Sequence, residues 1–163
     1  MIVVSDTTPL ISLMKVSLLN VLCDLFGEIL IPASVYNELT SNENFSFEAA
    51  EIQNSAFIKV VTIENQKIVE VLQKASGLDL GESEAIAYAD NVKADFLLMD
   101  EVRGRRVARS MGLKIMGTVG VLLAAYNDGI LSKKDVEDAL IGLKRANRRI
   151  GDDVIAAAKR RLA

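Results

Sequence analysis

Five short apolar segments recur along this chain, and each is followed by residues that favour a helix. They are Ile2–Ser5, Glu28–Ile31, Phe57–Thr62, Ala94–Met99 and Leu113–Met116. Segments this short suit buried strands, and strands alternating with helices build a parallel sheet. The expected fold is therefore α/β: three layers, with a central, mostly parallel sheet flanked by helices. The first strand runs into Asp-Thr-Thr-Pro, where Pro9 fits an early helical position, and Leu10–Leu25 continues with helical apolar spacing. Pro32 opens a helix through Leu39, residues 40–47 read as a loop, and Phe47–Asn54 as a short helix. Ile63–Ala75 and Leu80–Asn91 are helical segments separated by a break at Gly77, and Arg103–Met111 is a further helix. Thr118 is placed to cap the next helix, Ser132 begins a further one through about Arg145, and Asp152 or Asp153 begins the last. No repeat or linker divides residues 1–163, which read as one domain, with residues 130–163 as a C-terminal helical appendage or pairing surface.

Composition removes several kinds of chemistry. The chain has no histidine and one cysteine, so Ser/His/Asp triads, His-containing zinc sites and thiolate clusters are excluded. Carboxylates, hydroxyls, lysines or arginines must supply any reaction. Cys23 lies in an apolar stretch and is expected to be a buried thiol. Half the residues are apolar, enough for a core without disulfides. The apolar start MIVV stops at Ser5, too soon for a signal peptide or membrane span, which makes the cytoplasm the expected location.

Charge is unevenly distributed. Residues 1–100 carry five Lys/Arg and fifteen Asp/Glu, a net −10, whereas residues 101–163 carry fourteen and seven, a net +7. Such a chain can join an acidic pocket to a basic apron, although two solvated helix faces would have the same composition.

The acids fall at related places. Asp6 follows the first strand, Glu38 lies in the helix after the second, Glu82 is in the first turn after Gly81, and Asp100 ends the fourth strand. In parallel sheets, functional side chains gather beyond the carboxyl ends of the strands. Each acid also has an ordinary explanation. Asp6 and Asp100 can cap helices, Asp79 and Glu82 have the spacing of a capping box, and Glu38 can sit on an exposed face. Together they matter more, because clustered like charges are costly unless a cation compensates, and Mg²⁺ or Mn²⁺ favours oxygen ligands. Glu84 is turned about 200° from Glu82 on an ideal helix, which places it on the rim or behind a water. Glu101 is similarly peripheral. Thr7 and Thr8 bring hydroxyls beside Asp6 that can orient a carboxylate or bind a phosphate oxygen.

The basic segments Arg103, Arg105, Arg106, Arg109 and Lys144, Arg145, Arg148, Arg149 suit phosphate, and surface solubility equally. No GxxxxGK[ST] or GxGxxG loop is present; GTVG at Gly117–Gly120 reads as a strand-to-helix turn.

Taken together, VVSDTTPLISL, IPASVYNEL, LDLGESEAIAYA and ADFLLMDEVRGRRVA resemble the four acidic segments of a PIN-domain ribonuclease. The resemblance is to the small prokaryotic, toxin-like branch of the DUF3368 type. It extends through GLKIMGTVGVLLAAYNDGIL to the C-terminal ALIGLKRANRRIGDDVIAAAKRRLA, covering nearly the whole chain. It implies hydrolysis of RNA phosphodiester bonds with one or two Mg²⁺ or Mn²⁺ ions. Asp6, Glu38, Glu82 and Asp100 would be its principal acids, with Glu84 and Glu101 as further candidates. Many PIN domains have Asp at the start of the third acidic helix, where GESE here offers two glutamates. Thr7, Thr8, Arg103 and Arg106 would meet the substrate. The same resemblance implies an antitoxin that inserts a basic side chain among the acids.

Two other readings remain at the level of sequence. One is a regulatory module that binds metal or RNA without cleaving. The other is an aspartate-based phosphotransfer enzyme, against which DTT at residues 6–8 lacks a second aspartate. Val119–Ala125 and Val136–Leu143 supply apolar surfaces for either a homodimer or the core.

Overall fold

The computed structural model describes residues 1–163. Strands β1 (Val3–Ser5), β2 (Ile29–Pro32), β3 (Ile58–Val61), β4 (Phe96–Leu98) and β5 (Ile115–Met116) form one sheet in the order β3-β2-β1-β4-β5. All neighbours are parallel, with Ser5 opposite Leu98 and Val4 opposite Leu30. Because strand side chains alternate between faces, the sheet splits its apolar residues into two cores. Val3, Ile29, Ile31 and Leu98 join the larger core, whereas Val4, Leu97 and Met99 join the smaller.

Helices α1 (Thr7–Lys15), α2 (Val21–Phe26), α3 (Ala33–Ser41) and α4 (Ser46–Asn54) pack on the larger core. So do α8 (Thr118–Asn127), α9 (Lys133–Arg145) and α10 (Asp152–Arg161). The opposite face is covered by α5 (Gln66–Ser76), α6 (Leu80–Asn91) and α7 (Val102–Ser110). This is the expected three-layer α/β architecture. No helix is long and apolar enough to cross a membrane.

The chain winds outward from β1 to β2 and β3, then returns to β1's other side for β4 and β5. The direction of winding therefore reverses between β1 and β4. At such a switch point the connections leave toward opposite faces and open a crevice beyond the strand ends. Asp6 and Asp100 are the acids that follow those two strands.

Several local expectations change. The helix expected over Leu10–Leu25 is divided, because Ser17 adopts a left-handed conformation (φ 59°) and Val16 to Asn20 form a turn between α1 and α2. Apolar spacing runs through that turn because Leu18 and Leu19 still pack on the core. Residues 40–47 are not all loop: α3 extends to Ser41, a 3₁₀ turn occupies Glu43–Phe45, and α4 starts at Ser46. Cys23 is exposed, not buried, since α2 turns Val21 and Leu22 inward and Cys23 outward. Gly117, rather than Thr118, is the N-cap of α8.

In the C-terminal part, Val136, Leu140, Leu143, Ala158 and Leu162 enter the same core as β1 and α1. Val119, Val121, Leu122 and Ala125 are buried there too, so these apolar faces of α8 and α9 pack within the chain itself.

Candidate active site at the sheet switch point

Asp6 is the N-cap of α1, but its side chain makes no capping bond. Its amide instead donates to the Leu98 carbonyl at 3.0 Å, fixing the end of β1 against β4. The residue is only 4% exposed. Burial pushes its pKa up to about 8; a bond from the Thr7 amide works against the shift, and the charges of Asp79, Glu82 and Glu38 add to it. A carboxylate buried among like charges is held toward its neutral form until a cation arrives.

The surrounding acids reach Asp6 from two helices. Glu38, on the exposed side of α3, accepts a hydrogen bond from the Thr7 hydroxyl at 2.8 Å. Glu82, nearly buried in the first turn of α6, completes the capping box anticipated from its spacing. Its Oε2 accepts from the Asp79 amide at 3.0 Å, while Asp79 Oδ1 accepts from the Glu82 amide at 2.8 Å. Burial raises the Glu82 pKa; the bond to Asp79 and the charge of Arg103 oppose this, and the charges of Asp79 and Glu101 reinforce it. A Cβ built on Gly81 would lie 3.6 Å from both Asp6 Oδ1 and Asp79 Oδ1, so these two acids flank the same glycine. Spacing alone makes Asp79 a cap and nothing more. It is that cap, and it also contributes charge to Asp6.

Asp100 is directed elsewhere. Its Oδ1 accepts from the Thr118 amide at 2.7 Å and its Oδ2 from the Thr118 hydroxyl at 2.6 Å, so it caps α8 from outside the helix. Arg105 stands beside it and donates to the Met99 carbonyl at 2.9 Å. A Cβ on Gly117 would come within 2.9 Å of Asp100 Oδ1 and 2.7 Å of an Arg105 nitrogen, which accounts for a glycine there. Glu84 faces away from Asp6, as helix geometry requires, and accepts from the Ser34 hydroxyl at 2.8 Å. Glu101 is exposed and forms the N-cap of α7. Thr8 lines a cavity with Asp100, Thr118 and Arg149. Arg103 reaches the Gly77 carbonyl at 3.4 Å, and Arg106 is exposed on α7.

Asp6, Glu38 and Glu82 thus share one acidic neighbourhood, and Asp100 stands at its other side with Thr118 and Arg105. No three acidic side chains are posed as a ready-made metal cage. The hydrogen bonds say why: Glu38, Glu82, Glu84 and Asp100 each have oxygens turned toward protein donors. The side chains gathered around Asp6 are nonetheless all oxygen donors, the type that a hard divalent cation prefers.

Two replacements of Asp100 separate its structural and chemical roles. Asp100→Ala is expected to destabilise the fold by about 1 kcal/mol, the usual scale for a lost helix cap. Asp100→Asn retains an oxygen for the Thr118 amide and is expected to lose less than half of that. Urea unfolding of the two variants gives the comparison; equal losses would show that the cap does not depend on Asp100's hydrogen bonds.

A family model described as DUF3368, PIN domain, matches residues 2–163. The chain belongs to this PIN-domain family. The match spans the sheet, both cores and every acid described above. Comparison with curated proteins and with solved structures gives no match. PIN domains are commonly nuclease-related, and in this one Asp6 and Asp100 follow the two strands between which the winding of the sheet reverses.

Proposed function

We propose that this PIN domain is a metal-dependent ribonuclease that hydrolyses RNA phosphodiester bonds, with Mg²⁺ or Mn²⁺ held by Asp6, Glu38 and Glu82 and with Asp100 at the edge of the site. The observation that carries this reading is Asp6: a buried carboxyl at the switch point, with a pKa of about 8 and three further acids acting on it. A fold gains nothing from such a group, because desolvation and like charge both oppose its ionisation. A site that functions by taking up a divalent cation gains its principal ligand.

The ion, when bound, lowers the pKa of water and offsets negative charge on the transferring phosphoryl oxygens. The chain's own residues prepare for it. Thr7 orients Glu38 through its hydroxyl, the capping box holds Glu82 at the first turn of α6, and the β1–β4 backbone bond fixes Asp6. Thr118 holds Asp100 close to Arg105, so a cationic side chain stands next to the acidic site and can position phosphate there.

Purified protein incubated with mixed-sequence RNA tests the proposal. Cleavage is expected with Mg²⁺ or Mn²⁺, is expected to cease on chelation, and should return when metal is restored. RNA binding without cleavage of any substrate would favour the regulatory-module reading, which the protein-directed hydrogen bonds of Glu38, Glu82 and Asp100 support. The toxin-like sequence resemblance extends the proposal to a toxin–antitoxin pair. In that case a coexpressed small partner should bind the domain and suppress cleavage.

A further inference from the structure

Every one of the chain's five ion pairs uses a lysine: Lys15, Lys74, Lys93, Lys133 and Lys134. None of its nine arginines, by contrast, has a carboxylate within ion-pairing distance. Three of these arginines line a single groove of about 460 Å³ beside the acidic site, where Arg105, Arg109 and Arg149 surround Asp100 and Gly117. Arg105 and Arg109 are four residues apart on α7 and so share a face. Burial lowers the Arg105 pKa, and the Arg109 charge lowers it further despite Asp100 nearby. Asp100 is the one acid lining this groove, so three guanidinium groups share a single carboxylate.

The third arginine comes from the junction between α9 and α10, and that junction is fixed. Asn147 takes the left-handed conformation (φ 56°) that asparagine tolerates, and Arg148 Nε donates to the Ser12 hydroxyl of α1 at 3.0 Å. Arg149 is left exposed over the groove. A second cavity of about 330 Å³, reaching Thr8, Ser12 and Arg148, shares Asp100, Arg149 and Ile150 with the first. The two therefore form a trough that passes Asp100 on its way to α1.

We propose that this trough binds the sugar-phosphate backbone of single-stranded RNA, with Arg105, Arg109 and Arg149 as its phosphate contacts. The inference rests on the ribonuclease reading for the identity of the anion. Guanidinium groups offer forked donors suited to phosphate oxygens, and three of them along one open groove can meet more than one phosphate of a chain. The rest of the lining supports a nucleic acid over an acidic peptide. Val102 is 67% exposed and Val154 43% exposed, giving the groove aliphatic surface for ribose and bases. No aromatic side chain lines it, so stacking contributes little and binding should tolerate many sequences.

The test is anisotropy of a labelled single-stranded RNA in EDTA, which removes cleavage from the measurement. Arg109→Gln/Arg149→Gln changes two exposed arginines that make no side-chain hydrogen bonds in the fold. Lys59→Gln/Lys67→Gln removes equal charge on β3 and at the start of α5, away from the groove. The groove pair should weaken binding about tenfold at low salt and flatten the slope of log K against log salt by ~1.4, as expected for two lost contacts to a single strand. The Lys59/Lys67 pair should bind within about twofold of wild type. Equal losses in both pairs, an unchanged salt slope, or displacement of RNA by polyglutamate as readily as by unlabelled RNA would overturn the proposal. Cleavage assays separate it from the nuclease reading. Cleavage with an unaltered KM in the groove pair defeats the trough alone, whereas groove-dependent binding without any cleavage supports the trough and defeats only the nuclease.

Discussion

Asp6→Asn is expected to make the metal-free protein more stable above neutral pH, by on the order of 2–4 kcal/mol at pH 9. The sign follows from the raised pKa. The group titrates near 3.8 when unfolded and at about 8 when folded. Between those values the native state binds a proton that the unfolded state has released, so this contribution to stability is fully present below the unfolded pKa and is lost as pH rises through 8. Its steepest slope is about 1.4 kcal/mol per pH unit. Asparagine has no proton to lose and keeps a similar volume in the 4%-exposed site. Thermal melts in EDTA at pH 5, 7 and 9 should therefore show the wild type and variant diverging with pH, by several degrees at the alkaline end. Added Mg²⁺ or Mn²⁺ should raise the wild-type melting temperature more than the variant's, because binding to the native state alone stabilises it. Parallel pH profiles in EDTA would mean that Asp6 carries no such burden.

That burden also explains which features could be read along the chain and which could not. Strand, acid and helix succeed one another locally at Asp6 and Asp100, so parallel topology is visible in the order of short apolar segments. The Asp79–Glu82 capping box is a three-residue relation within one helix start, and it too is legible. Relations across the fold are not. Asp100 meets Thr118 eighteen positions later, and Arg149 meets Arg105 forty-four positions later, through packing that no spacing rule encodes. The left-handed Ser17 is hidden because apolar residues continue on both sides of it. Cys23 shows the same limit, since an apolar neighbourhood in sequence does not decide which way a short helix faces.

Cleavage should fall by about 10²–10³-fold in Asp6→Asn, and by about 10–100-fold in Glu38→Gln, Glu82→Gln and Asp100→Asn. The amide replacements suit this site because each retains an oxygen for the hydrogen bonds its acid accepts. In Glu38→Gln the side-chain carbonyl can still accept from the Thr7 hydroxyl, and in Glu82→Gln from the Asp79 amide. In Asp100→Asn it can still accept from the Thr118 amide, so the scaffold stays while charge is removed. Asp6 caps no later amide of α1, and an asparagine oxygen can still accept from the Thr7 amide, so its replacement tests charge with little structural consequence. Its loss should therefore accompany a gain in stability, the combination expected when a fold keeps a strained group for chemistry. The double variant Asp6→Asn/Glu82→Gln should be little worse than Asp6→Asn alone, because groups acting as a unit fail together. Rates at saturating RNA, compared with melting temperatures of the same preparations, give the measurement. Undiminished cleavage in all four single variants would place the chemistry away from this crevice.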